Sequence, residues 1–116
     1  MPKKLKKVPA FFYQSRAGAE PVRDWLRELD EEDRKVIGED IATVEFGWPV
    51  GMPLARSLGD GLWEVRSSLP SKREARIIFA VIGERMILLH GFIKKTQKTP
   101  RGDLAMAHKR LKEIDE

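Results

Sequence analysis

Residues 75–93 read ARIIFAVIGERMILLHGFI. Two apolar runs rich in β-branched residues are joined there by Gly83-Glu84, a connection that suits little besides a hairpin. A third run, GLWEVRSSL, precedes them across the loop SLPSKRE. Three such runs with short connections commit the second half of the chain to antiparallel pairing.

The first half has a different period. VPAFFYQ, residues 8–14, reads as a strand. Pro21 then suits the first position of a helix, because its missing N–H has no partner there anyway. Val22, Trp25, Leu26 and Leu29 form one apolar stripe at helical spacing. Asp30 is placed to cap a second helix, whose first turn carries Glu31, Glu32 and Asp33. Val36, Ile37, Ile41 and Val44 continue that helix, Gly47 is its expected C-cap and Pro49 stops it. A short strand near Leu54–Leu58 can precede the three runs. Thr99 is expected to cap a last helix with Pro100 at its first position, followed by Leu104, Ala107, Leu111 and Ile114. The expected order is β-α-α-β-β-β-α: an α+β domain with a small antiparallel sheet and its helices packed on one face.

With 116 residues, one domain over residues 1–116 is expected, residues 1–7 forming a loose basic arm. The start MPKKLKKVPAFF lacks the long apolar region of a signal peptide, and no apolar run approaches the ~20 residues of a membrane span. Cysteine is absent, which excludes a disulfide framework and a thiolate metal site and fits a cytoplasmic location. The net charge of +4 hides an asymmetry. Residues 20–45 hold ten acids and four bases, so the remainder of the chain carries about +10. That division points to a polyanionic partner on one face.

Strand alternation indicates where such a partner would sit. In LWEVRS, Glu64 and Arg66 share a face; in ARIIFAV, Arg76 lies opposite the apolar set Ile77, Phe79 and Val81. A hairpin centred near Ser71 puts Arg66 directly across from Arg76. Two guanidinium groups side by side repel, unless an anion lies between them or Glu64 and Glu74 pair with them. The arginine fork matches phosphate geometry. The end of the last run, HGFIKKTQKTP, adds Lys94, Lys95 and Lys98. A three-residue turn at Gly83-Glu84 puts Lys94 and His90 on the arginine face; a two-residue turn puts Lys95 there.

Two histidines, no cysteine and no carboxylate cluster beside these cations argue against metal chemistry, and no cofactor is expected. No glycine-rich phosphate loop is present. Phosphoryl transfer on RNA remains, since RNA carries its own 2′-OH nucleophile. The protein need only align it, stabilise the charge on phosphorus and move two protons. Arg66, Arg76, Lys94, Lys95 and Lys98 are the candidate catalytic residues. Phe92, Thr96, Gln97 and Thr99 are the candidate RNA contacts, with Phe92 stacking on a base if exposed. His90 is a candidate for proton transfer, although a histidine between Leu89 and Gly91 also reads as a hydrogen-bonded core residue.

Together, EFGWPVGMPLARSLGDGLWEVRSSLP, ARIIF and LLHGFIKKTQKTP resemble the HigB-like branch of the RelE/ParE toxin superfamily, including its phage-derived members. The likeness runs from about Glu20 to Ile114. It implies a RelE-like fold and the toxin half of a type II toxin–antitoxin pair. It implies a metal-independent, ribosome-dependent mRNA endonuclease that blocks translation. The implied partners are a helix-turn-helix, HigA-like antitoxin, mRNA and the ribosome. By position, Arg66 and Arg76 match the family's basic sheet residues, and Lys94, Lys95 and Lys98 its lysine-rich strand end. Relatives that use histidines or an aromatic near the C-terminus have little counterpart here. After Lys98 the chain has no tyrosine and only His108, so the resemblance assigns no general base. Two other activities are compatible with such a fold: ParE-like inhibition of DNA gyrase without catalysis, and nucleic-acid binding alone.

Overall fold

The structure is a computed structural model that describes residues 5–95 and 97–115, the last by its backbone alone. Strand β1 (Ala10–Phe12) leads into helices α1 (Pro21–Arg27) and α2 (Glu31–Gly47). Four strands follow: β2 (Ala55–Gly59), β3 (Leu62–Ser68), β4 (Glu74–Ile82) and β5 (Arg85–Ile93). Helix α3 (Arg101–Asp115) closes the chain. The α+β class holds, and the architecture is compatible with a RelE-like fold. Among the described residues no helix is long and apolar enough to cross a membrane.

The strands form one sheet in the order β1-β5-β4-β3-β2. It is mixed rather than wholly antiparallel, because β1 pairs with β5 in parallel, Phe11 beside Ile87. β5 is buried along most of its length, so its outer edge needs a backbone partner, and β1 supplies it. Glu45 near the end of α2 fastens this entry: its side chain accepts from the Ala10 N–H at 2.7 Å and from Lys6 at 3.0 Å. Of the expected loose arm, residues 1–4 lie outside the described residues, and the Lys7 N–H donates to the Glu45 carbonyl at 2.8 Å.

The helices do not share one face. α1 and α2 cover the core built on Val65, Ile77, Phe79, Met86 and Leu88. α3 covers the other face, where Leu62, Ile78, Ala80, Ile87 and Leu89 are buried against Ala107, Leu104 and Leu111. β4 is apolar on both sides, and a second hydrophobic face requires a second cover.

Local details refine the expected boundaries. Asp30 stands at the N-cap of α2 but makes no side-chain capping bond. α3 begins one residue later than expected, the Leu104 N–H donating to the Pro100 carbonyl, and the Thr99 hydroxyl is directed to the sheet instead. Gly91 is obligatory. Trp25 of α1 lies flat on β5 there, and a Cβ at position 91 would fall 2.5 Å from the indole Cε3.

The turn at Gly83-Glu84 has two residues, with Ile82 paired to Arg85 and Gly83 at φ 63°, as a type II′ turn requires at its first central position. The pairing continues to Phe79–Leu88 and then jumps to Ile78–His90. Leu89 is the extra residue of a β-bulge. Its carbonyl accepts from Arg110 Nη1 of α3 at 2.7 Å. The bulge reverses the side-chain parity of the rest of β5. His90 and Phe92 therefore lie on the α3 face, as a three-residue turn would have placed them.

Candidate nucleic-acid interface

The β3–β4 hairpin sets Arg66 directly opposite Arg76, as strand alternation predicts. The hairpin is held from the other face by α2. The Ser71 N–H donates to Asp33 Oδ1 at 3.2 Å, Arg73 Nη2 pairs with Asp33 Oδ2 at 3.2 Å, and the Ser67 hydroxyl donates to Asp40 at 2.7 Å. Hydrogen bonds from the Ser71 hydroxyl and backbone, with the Arg73 guanidinium, hold the Asp33 carboxyl below its usual range against the opposing effect of burial.

Next along β4–β5, Arg76 pairs with Phe92, and the Lys94 N–H donates to the Glu74 carbonyl at 2.7 Å. The chain then turns toward α3 and passes back over the sheet. The result is a narrow cleft lined by Arg66 and Glu64 of β3, Arg76 of β4, Phe92 of β5, the segment bearing Lys94, Gln97, Lys98 and Thr99, and Arg56 of β2. Five cations and one carboxylate line it, so the local potential is positive.

The two arginines differ. Arg76 is only 3% exposed and donates to the Ala75 carbonyl at 2.9 Å. Its Nε lies 4.0 Å from Glu64 and its Nη1 3.8 Å from Glu74. Burial, then the charge of Arg66, push its pKa below the ordinary guanidinium range, and Glu64 and Glu74 oppose the shift. The carboxylate pairing expected as an alternative to a bound anion is thus present at Arg76. At Arg66 it is not: Nη1 rests against Met52 Sδ at 3.4 Å, and the buried Nε has no hydrogen-bond partner among the described residues. A buried donor left unmet is costly, and an anion in the cleft would satisfy it.

Glu64 is 2% exposed and accepts a 3.1 Å hydrogen bond from the Thr99 hydroxyl. One carboxylate therefore ties the lysine-bearing segment to the sheet beneath Arg76. Sequence reasoning treated Glu64 only as a neutralising partner and missed Arg56. The signal for Arg56 was the same two-residue alternation, since β2–β3 pairing sets it beside Glu64.

The remaining candidates are placed as follows. Lys95 is exposed and lies outside the cleft, in a depression shared with Glu74, Lys94 and Gln97. Thr96 lies outside the described residues. Phe92 is 8% exposed and stacks on His90 with ring centroids 5.9 Å apart, so it is not the open platform that base stacking needs. His90 is engaged at both ring nitrogens: Nε2–H donates to Asp103 at 2.6 Å, and Nδ1 faces Arg110 Nη1 at 3.4 Å. It reads as a hydrogen-bonded element of the α3 interface. Among the described residues no three histidines and carboxylates converge to hold a metal ion.

A family model described as phage-derived protein Gp49-like (DUF891) matches residues 24–112, about three-quarters of the chain. The match spans both arginines, the lysine segment and most of α3. No curated protein matches the chain significantly.

Proposed function

The chain belongs to the phage-derived Gp49-like family, a toxin-like module tied to the RelE/HigB-like toxins, and we propose that it is the toxin of a type II toxin–antitoxin pair that cleaves mRNA on the ribosome without a metal. The observation that carries this reading is the cross-strand pair Arg66–Arg76, facing a lysine segment across a cleft that holds a single carboxylate. Like charges set opposite each other are unfavourable unless something negative lies between them.

In this reading the scissile phosphate enters between Arg66 and the Lys94–Lys98 segment. The free Nε–H of Arg66 and the guanidinium of Arg76 donate to its non-bridging oxygens and stabilise the charge that grows as the 2′-OH attacks. Glu64 keeps Arg76 aimed and the lysine segment docked. Lys94 and Lys98, which line the cleft, are the groups for moving a proton from the 2′-OH and to the departing 5′ oxygen. His90, fully bonded within the fold, supports Phe92 under the cleft. A helix-turn-helix antitoxin would be the restraining partner, and no cofactor takes part.

The test is addition of the purified chain to a translating extract, followed by mapping of mRNA 5′ ends. Cuts at codon spacing are expected from the wild-type protein. Folded protein that binds RNA with a steep salt dependence yet yields no cuts would reduce the reading to nucleic-acid binding alone.

A further inference from the structure

Phe92 is buried, so a nucleotide whose phosphate sits at Arg66 needs another surface for its base. One adjoins the same arginine. Pro53, Leu54, Arg66, Ser68 and Glu74 line a depression of about 300 Å³ that shares Arg66 with the cleft. Met52, next in the chain to Pro53, places its Sδ 3.4 Å from Arg66 Nη1. At 60% exposure, its thioether is an apolar side chain left open to solvent beside a phosphate-type arginine.

We propose that this depression is a nucleobase subsite, with Met52 packing on the face of the base whose phosphate Arg66 holds; the inference rests on the RNA-binding reading above. Three observations define the occupant. It must be joined to an anion, because Arg66 lines both the cleft and the depression. It must be flat and apolar on its face, because Pro53 and Leu54 line the depression and Met52, next in the chain and in contact with Arg66, stands beside it; a polarisable thioether favours contact with an aromatic ring. It must be uncharged with donors at its edge, because Glu74, also in the lining, repels a second phosphate and, as a carboxylate, only accepts hydrogen bonds. A base with an exocyclic amine, adenine, cytosine or guanine, meets all three. Uracil offers only its ring N3–H and is the weaker fit.

Methionine ε-methyl NMR on the full chain tests this, since Met52, Met86 and Met106 report separate places. Met86 is buried in the core and Met106 lies on α3, away from the cleft, so both serve as references. The probes are inorganic phosphate and the dinucleotide ApA carrying a 2′-deoxy first sugar, which cannot be cleaved. Both are expected to shift the Arg66 Nε–H signal, and only the dinucleotide is expected to move the Met52 methyl upfield. Met52→Ala should weaken dinucleotide binding about three- to tenfold more than it weakens phosphate binding, while Met52→Phe should preserve dinucleotide binding. The exposed side chain makes both variants safe for folding. An Arg66 shift with a stationary Met52 methyl would overturn the subsite and leave the phosphate site standing. No response of Arg66 to either probe would overturn the RNA-binding reading itself.

Discussion

The Thr99 hydroxyl donates to the Glu64 carboxylate, 35 residues away in the chain, at 3.1 Å. This bond joins the start of α3 to the middle of β3 and sets the far wall of the cleft against the arginine pair. Thr99→Val leaves a buried carboxylate oxygen unmet and should cost about 1–3 kcal/mol in urea unfolding, with Thr99→Ser restoring most of it. Glu64→Ala removes the anion beside buried Arg76 and should cost about 3–5 kcal/mol.

Arg66 is the better residue for testing chemistry, because Arg76 is built into the fold. Arg66→Ala should keep the circular dichroism spectrum and unfolding midpoint near wild type. Its cleavage rate in the translating extract should fall by about 10²–10³-fold, as for loss of one donor to a developing oxyanion. Arg66→Lys should recover only part, since an ammonium cannot span two phosphate oxygens as the planar fork does.

Gly91→Ala drives a methyl into the Trp25 ring, whose nearest atom lies 2.5 Å from the ideal Cβ position. The expected cost is about 1–3 kcal/mol, with altered tryptophan fluorescence as α1 shifts. Trp25→Leu combined with Gly91→Ala should be less destabilising than the sum of the two single changes, because the added methyl then meets a smaller neighbour.

Asp33 gives the fold a defined acid sensitivity. Its folded-state pKa is depressed, so its contribution to stability is fully present above the unfolded value of about 4 and is lost as pH falls through the lower folded value. The stability difference between wild type and Asp33→Asn should be constant above about pH 5 and shrink toward pH 2. A difference that grew on acidification would contradict the clamp between Asp33, Ser71 and Arg73.

Much of the site was legible because hairpin parity is local. Two strands of known alternation and a short loop centred near Ser71 suffice to set Arg66 opposite Arg76. The helices of the first half were legible from their apolar spacing and from Pro21. The second hydrophobic face was visible in Ile78 and Ala80, but nothing local said that α3 would cover it. Alternation shows that a face is apolar and leaves open which element covers it.

Leu89 marks the division most sharply. The sequence by itself determined a hairpin at Gly83-Glu84, a row of cations at the end of β5 and a cross-strand arginine pair, since these depend on backbone period and turn length. Tertiary structure decided which lysine joined the arginines. The bulge at Leu89 holds where α3 brings Arg110 to the Leu89 carbonyl, and it carries His90, Phe92 and Lys94 to the arginine face. The carbonyl that a bulge turns out of the ladder needs a partner, here a distant side chain whose presence depends on the packing of the whole chain.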